Sequence, residues 1–585
     1  MGIYRKYWKT YRLPFILAVS CVFLEAMCDL LQPTIMSHII DDGVKNGSLA
    51  TVLRFGGTML GVALVGAVFA CARNLLASRV SQSFGADLRG ELFAKILRLS
   101  EADADRIESG SLITRLTNDT NQLVLFVNGL MRIFVKAPLT CVGSIVLAVT
   151  LSPRLSVVLF VVIGLVAAFI VVSMKLSYRR YARMQAAIDR VNTVVQEALM
   201  GVRLVKAFGR FDAEEERFGV ANDELSRRAV SAQRVAAIFS PLMTLSVSLG
   251  IAAILYAGSL LFGSGSLEVG RIAAFINYMT QILGSLIMIT NIFNVFVRTQ
   301  ASTFRINEVL RCGEDGGTPS VVRRPEGERI GEEELAFDRV TFAYPGGSGR
   351  PALEEVTFSV SRGETLAVIG STGSGKSTLA WLLLRFYEPN DGMIRLGGRD
   401  VREMATNELR SRIALAPQLS LLFSGTVEEN IRWGNPDASE EEIRTAAAVA
   451  QAASFIEAMP DGYGSELGQG GVNLSGGQKQ RLSIARALAR GAEMVVLDDC
   501  TSALDALTEA AVRRGLRALS GKTTVLLITQ RISTAMGADR ILVLEGGRTA
   551  GFGTHDQLMA ECPVYRDIYE SQIGAPEAAD RQTTA

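Results

Sequence analysis

The stretch Gly370-Ser371-Thr372-Gly373-Ser374-Gly375-Lys376-Ser377 fits the pattern GxxxxGK[ST] and follows the apolar run Thr365-Leu366-Ala367-Val368-Ile369. Glycines let backbone N–H groups curl around phosphate oxygens, and Lys376 adds a point charge toward the β and γ groups. Ser377 can ligate Mg²⁺, while Thr378 continues into a helix whose positive end faces the anion. A second apolar run, Met494-Val495-Val496-Leu497, ends in Asp498, an acid suited to hold the same Mg²⁺ through water. Alone, the first could be a Gly-rich turn and the second a buried strand that happens to end in Asp. Together they describe a site for the triphosphate of ATP with Mg²⁺.

These residues need a scaffold. Strand-like runs at Glu364–Ile369, Arg412–Ala416, Met494–Leu497 and Thr523–Ile528 alternate with helix-like segments, which predicts a parallel sheet wrapped by helices. The first half of the chain differs. Of its 585 residues, 49% are apolar and only 20% charged, with a mean hydropathy of +0.26, and the apolar excess lies almost wholly before residue 300. Uncharged runs at Phe55–Ala72, Ala137–Pro153, Leu155–Met174, Val235–Leu267 and Ile272–Val297 approach or exceed the ~20 residues of a spanning helix. A sixth, Leu13 to Ile40, is interrupted by Glu25 and Asp29 and continues too far to be a signal peptide. Lys and Arg crowd the N-terminal arm and the segments Arg73–Lys136 and Lys175–Arg234, which places the termini and both long connections in the cytoplasm. Each connection is predicted as a helical hairpin. Thr117–Thr120 and Gly209–Asp212 supply turn and capping chemistry for a short transverse helix at each tip. The balance of 60 Lys+Arg against 59 Asp+Glu excludes a dedicated nucleic-acid binder. Seven cysteines carry no disulfide or zinc spacing.

Between the two phosphate-site motifs lies Leu474-Ser475-Gly476-Gly477-Gln478-Lys479-Gln480-Arg481. It resembles the signature motif of ATP-binding cassette (ABC) proteins, and nearly the whole chain resembles an exporter half-transporter. The resemblance implies a multi-domain chain: an all-α six-helix transmembrane domain over residues 1–311, a linker over 312–334, an α/β P-loop NTPase domain over 335–571 and a polar tail over 572–585. It also implies two cassettes set head to tail, each ATP lying between one phosphate loop and the other chain's Ser475, Gly476, Gly477 and Gln478. Tyr344 resembles the aromatic that stacks on adenine; a surface turn tyrosine is the alternative. Gln418 resembles the glutamine that touches Mg²⁺, Ser502-Ala503-Leu504-Asp505 the loop through which cassettes communicate, and the hairpin tips the coupling helices.

Two positions depart from the family pattern. The family's hydrolytic exporters usually follow Asp498 with Glu, where this chain has Asp499, and they usually carry His where Gln530 stands. Aspartate is one methylene short, and a displacement of ~1 Å can cost ~10²-fold in rate. Glutamine cannot carry the charge of an imidazolium. The only histidines, His38 and His555, fit capping or surface roles. The signature is intact, so the resemblance implies a heterodimer whose second half-transporter hydrolyses ATP with this chain's signature. The alternatives are a homodimer with two slow sites and an ATP-gated channel or sensor. The expected cargo is an amphipathic drug, lipid or peptide moved out of the cell across the cytoplasmic membrane.

Glu25 and Asp29 are spaced i,i+4 on one face of the first helix and must meet protein, water or a cation. They form either an inter-helix clamp or part of a substrate cavity. Asn277, Gln281, Asn291 and Asn294 on the last span fit either helix–helix glue or the pathway lining.

Overall fold

The computed structural model describes residues 2–263, 267–313, 333–347, 349–518 and 523–574. Most of the expected linker and tail lies outside them. The described chain forms two compact units, one of residues 1–95 and 110–311, the other of residues 96–109 and 312 onward.

The first unit is helical. Its helices are α1 (Gly2–His38), α2 (Leu49–Ile96), the short α4 (Ser109–Thr114), α5 (Thr120–Leu151), α6 (Pro153–Met200), the short α7 (Val202–Phe208), α8 (Phe211–Gly263) and α9 (Val269–Arg311), while the short α3 (Glu101–Ile107), between α2 and α4 in the chain, falls in the second unit. Six segments are long and apolar enough to cross a bilayer. A core of Leu155, Leu159, Val162, Ile254, Phe275, Tyr278 and Met279 joins α6, α8 and α9, and Leu30 and Cys141 carry it to α1 and α5. Tyr278 is fully buried and donates its hydroxyl to Leu30 O at 2.8 Å, which satisfies its one polar atom.

The helices continue beyond the apolar runs because Leu, Ala, Arg and Glu sustain them and few breakers intervene. The short capped helix between α2 and α5 is α3, not a segment at Thr117–Thr120. Ser100 caps it by accepting Asp103 N–H at 3.3 Å. Thr117 to Asp119 instead lie in a π-helical turn, Arg115–Asp119, where Asp119 accepts Ser302 Oγ at 2.8 Å and Arg305 Nε at 2.7 Å. Its carboxylate is thus bound to α9, not spent on a cap. In the second hairpin α7 ends at Gly209, in the left-handed conformation at φ 62°, as the turn chemistry there predicts.

The second unit is α/β. Its strands are β1 (Glu333–Phe342), β2 (Leu353–Ser361), β3 (Thr365–Gly370), β4 (Asp391–Leu396), β5 (Arg399–Asp400), β6 (Ile413–Ala416), β7 (Gly425–Thr426), β8 (Glu466–Leu467), β9 (Met494–Asp498), β10 (Thr524–Ile528), β11 (Arg540–Glu545) and β12 (Arg548–Gly553). One sheet has the order β12-β11-β3-β10-β9-β6, parallel except at β12; the other runs β2-β1-β4-β5. Every residue of β9 and β10 is buried, as parallel strands covered on both faces require. The helices that matter for the site are α10 (Lys376–Leu383), α11 (Gly476–Ala489) and α12 (Ala506–Ala518). Helix α3 belongs to this unit: Ala102 packs on its core and Tyr387 donates its hydroxyl to Asp105.

Candidate nucleotide site

Strands β3, β9 and β10 lie side by side in parallel register, so their C-terminal ends open onto one edge. The chain leaves β3 through a loop that cannot hold side chains at its tightest points. A Cβ on Gly370 would strike Leu544 O, and one on Gly375, at φ 94°, would meet Ala352 O at 2.5 Å. Gly373, at φ 82°, has nothing within 4 Å of that position, leaving its side of the loop open. Helix α10 starts at Lys376 with no side-chain cap, so its first N–H groups are left for an anion.

Lys376 is 8% exposed and donates to Gly370 O at 2.8 Å and Ser371 O at 2.7 Å. Burial pushes its pKa down, against the pull of Asp499 and Asp498. Ser377 Oγ donates to Asp498 Oδ1 at 2.9 Å, which sets together two oxygens suited to a hard divalent cation. Asp498 is 4% exposed, and burial raises its carboxyl above the usual range. Ser374 Oγ is buried without a partner, an orphan in a loop otherwise shaped for oxygen ligands. The loop, the cation and the paired oxygens fit a triphosphate with a divalent metal.

The neighbouring acid is held differently. Asp499 follows β9 at φ 45°, its N–H bonded to Ile528 O at 2.9 Å, and burial raises its carboxyl as well. Gln530 Nε2 donates to Asp499 Oδ2 at 3.3 Å, and Gln418 also lies close enough to favour its charged form. Gln572 holds the Gln530 segment from both sides: its Nε2 donates to Gln530 O and its Oε1 accepts Ile532 N–H, each at 2.8 Å. The final helix runs to Ile573, so Gln572, placed in the polar tail by sequence, is part of this unit. Tyr344 is half-buried; its hydroxyl lies 2.9 Å from Thr378 Oγ1, and its ring meets Phe342, Trp381 and Tyr387 edge to face.

The signature turn stands apart. Ser475 and Gln478 form a reciprocal cap at the start of α11, with Ser475 N–H bonded to Gln478 Oε1 at 2.9 Å. Among the described residues none of Ser475, Gly476, Gly477 and Gln478 bonds to the phosphate loop. Instead α11 is tied to the Ser502–Asp505 loop: Gln480 Oε1 accepts Ala503 N–H at 2.9 Å and its Nε2 donates to Ser502 Oγ at 3.1 Å. Sequence reasoning missed a second tie. Arg531, next to Gln530, donates to Ser502 O at 2.8 Å, to Leu504 O at 3.3 Å and to Glu509 of α12 at 2.5 Å. Glu509 is 4% exposed. A lone buried carboxylate on a helix otherwise polar outward was the available signal. The histidines are engaged elsewhere, His38 with Asp42 and His555 with Tyr565, each at 2.8 Å.

In the helical unit Glu25 is buried between two cations, Arg73 Nη1 at 2.5 Å and Lys136 Nζ at 2.6 Å, and Lys136 also reaches Asp29 at 2.9 Å. Sequence alone places both cations among the cytoplasmic charges of the Arg73–Lys136 segment. Gln281 bonds to Ser144 Oγ and Asp29 O, while Asn277 bonds to Ala273 O on its own helix. The side chains of Asn291 and Asn294 lie outside the described residues.

The family model for the ABC transporter transmembrane region matches residues 15–286, and that for the ABC transporter matches residues 353–502. An uncharacterised ABC transporter ATP-binding protein of Bacillus subtilis is 41% identical, over 97% of each chain. Another from Mycobacterium tuberculosis is 39% identical over 98% of each. An ATP-dependent lipid A-core flippase of Dechloromonas aromatica is 34% identical over 97% of this chain and 96% of its own. A bacterial Atm1-family ABC exporter solved with ATP bound superposes with a TM-score of 0.80 at 26% identity, over 97% of this chain and 99% of that one. Likeness at this level over both units, with a phosphate loop, a signature turn and six spans in order, places the chain in the ABC transporter family, as an exporter half-transporter of the cell membrane that carries a cytoplasmic ATPase domain.

Proposed function

We propose that this chain is the unequal half of a two-subunit exporter. It holds ATP in its own phosphate loop without splitting it efficiently, and lends its signature to a partner half-transporter that does. The observation that carries this reading is Asp499: an acid one methylene short of Glu, bonded to the neutral amide of Gln530 and not to an imidazole. The loop amides and Lys376 would bind the triphosphate; Ser377 and Asp498 would hold Mg²⁺, with Gln418 against the neighbouring Asp499; Tyr344 would pack against adenine. Bound Mg²⁺ would neutralise phosphate charge. Asp499 orients water poorly, because its carboxylate stops short and Gln530 can donate a hydrogen bond but no positive charge. Ser475, Gly476, Gly477 and Gln478 present a helix start to the partner's nucleotide.

ABC exporters act as dimers, and closure of two cassettes around ATP drives the membrane helices between inward- and outward-open forms. The cargo of this pair is an amphipathic compound, lipid or drug-like, a reading supported by the flippase among its relatives. The test is to purify the chain with the product of a neighbouring transporter gene and measure phosphate release. Neutralising the partner's catalytic carboxylate should lower turnover ~10²-fold or more, and Asp499→Asn should change it less than about twofold. Equal losses would mean two working sites and would refute the division of labour.

A further inference from the structure

The backbone around Gln530 is held by a side chain 42 residues further along the chain. Strand β10 ends at Ile528, and Thr529 N–H still reaches Val368 O of β3 at 3.1 Å. Beyond Thr529 the chain leaves the sheet, and a short helix, α13 (Ile532–Ala535), begins after Arg531, which gives it no side-chain cap. The guanidinium of Arg531 turns instead to Ser502 O, Leu504 O and Glu509. Among the described residues neither Gln530 O nor Ile532 N–H has a backbone partner. Gln572 meets both, its Nε2 donating to Gln530 O and its Oε1 accepting Ile532 N–H, each at 2.8 Å. A neutral amide carries a donor and an acceptor side by side, so one residue satisfies a carbonyl and an N–H two positions apart.

The brace stands on a packed element. Gln572 lies in the last turn of α14 (Pro563–Ile573). Tyr565 of α14 is fully buried, and Val564, Ile568 and Tyr569 pack on the core that also contains Ile532 and Ala535 of α13. The two helices share one core, so packing fixes where the Gln572 amide can reach. What it braces faces the nucleotide. Gln530 Nε2 donates to Asp499 Oδ2 at 3.3 Å, and the charge of Asp499 acts on Lys376, the cation that a phosphate loop aims at the β and γ groups. Gln530 therefore stands at the γ end of the site, where ATP and ADP differ.

We infer that Gln572 is a positioning residue for the γ-phosphate: acting through Gln530, it lets this chain's own site tell ATP from ADP. This rests on the nucleotide-holding site proposed above and adds a residue to it. With the brace lost, the Gln530 backbone is freed from α14 and its amide leaves the γ end. Lys376, the loop amides and Tyr344, which grip the rest of the nucleotide, stay as they were.

Equilibrium binding of radiolabelled ATPγS and of radiolabelled ADP, each with Mg²⁺, tests it on the full-length chain purified by itself in detergent, where every phosphate loop present is its own. Gln572→Met keeps the length of the side chain and neither hydrogen bond. It should weaken ATPγS about 5-fold, the worth of one ordinary hydrogen bond, and leave ADP within about twofold. Gln530 and Gln572 are both exposed, so water competes with their amides and the loss stays severalfold. Gln530→Ala should weaken ATPγS by a similar factor, and adding Gln572→Met to it should change nothing further, because the brace acts through the side chain at 530. Equal losses of ATPγS and ADP, or a Gln572→Met loss just as large beside Gln530→Ala, would overturn the inference and leave Gln572 a contact of the fold alone. Should Gln572→Met fail to fold, Gln572→Glu decides: it keeps an acceptor for Ile532 N–H, loses the donor to Gln530 O, and should weaken ATPγS with ADP unchanged. Phosphate release from the same preparations separates the two readings. A loss selective for ATPγS supports the brace however fast the unaltered chain releases phosphate, and brisk release then counts against the slow site alone; an unselective loss rejects the brace and leaves the slow site standing.

Discussion

If the proposed division of labour holds, restoring the family's residues at the two departed positions should speed hydrolysis at this chain's own site. Asp499 N–H is fixed to Ile528 O at 2.9 Å, at the end of a fully buried strand, so the backbone cannot slide to absorb a longer side chain. Asp499→Glu therefore carries the carboxylate outward by about 1.5 Å, the length of one carbon–carbon bond. A misplacement of ~1 Å costs ~10²-fold, and a well-placed base contributes ~10²–10⁴-fold. The expected gain is thus ~10²-fold for Asp499→Glu, with a further rise on adding Gln530→His, because an imidazole can take the charge that the Gln530 amide cannot. The assay is steady-state phosphate release from the purified chain reconstituted by itself. Such a self-pair joins two of its own phosphate loops to two intact signatures, leaving the base as the variable. Vigorous release from the unaltered self-pair, or a doubly substituted protein no faster than the original, would refute the reasoning.

Three further outcomes follow from buried charge near the site. Asp498 is held above the usual carboxylate range by burial, so the folded protein binds its proton more tightly than the unfolded chain does. Asp498→Asn should raise the melting temperature of the nucleotide-free protein at pH 7, and the gain should shrink as pH falls through the raised value toward the ordinary ~3.9; a pH-independent difference would count against burial as the cause. Arg531→Met strands Glu509, whose removal of a partner in a fully buried pair would cost ~3–5 kcal/mol; with Arg531 39% exposed about 2 kcal/mol is expected by denaturant unfolding, and adding Glu509→Gln should recover much of it. Tyr387→Phe removes the hydroxyl that Asp105 of α3 accepts, so it should cost ~1 kcal/mol and lower substrate-stimulated more than basal ATP turnover.

What the sequence disclosed about the site was whatever its local spacing encodes. The phosphate loop, Asp498 and the signature were legible because each is a short run whose backbone geometry does the binding, and β3 and β9 are apolar runs that end on the reactive residue. The six spans were legible for a similar reason: a continuous apolar run has one inexpensive home. Contacts between distant segments were not. Arg73 and Lys136 read as topology charges at the edges of a cytoplasmic connection, yet both turn to Glu25, and nothing near either position names that partner. Thr117-Asn118-Asp119 looks like a helix cap in sequence, while Asp119 is bound by Arg305, 186 residues on in the chain. Gln572 has the composition of the polar tail, and nothing local shows that it braces the Gln530 segment.

The positions that depart from the family pattern are not scattered. Asp499 and Gln530 bond to each other, and the elements around them carry no matching weakness: β9 and β10 are fully buried, Ser377 still meets Asp498, and α11 keeps a reciprocal cap. A site decaying without selection would lose buried packing and metal oxygens as readily as the base, since most substitutions there destabilise by ~0.5–3 kcal/mol. Retention of everything that would grip a nucleotide, alongside change in the pair that would activate water, is what the proposed division of labour requires. Arg531 gives that binding a route outward. It lies beside Gln530 and holds the carbonyls of Ser502 and Leu504, in the loop that α11 also grips through Gln480. A nucleotide lodged at Asp499 thus bears on the placement of the signature helix.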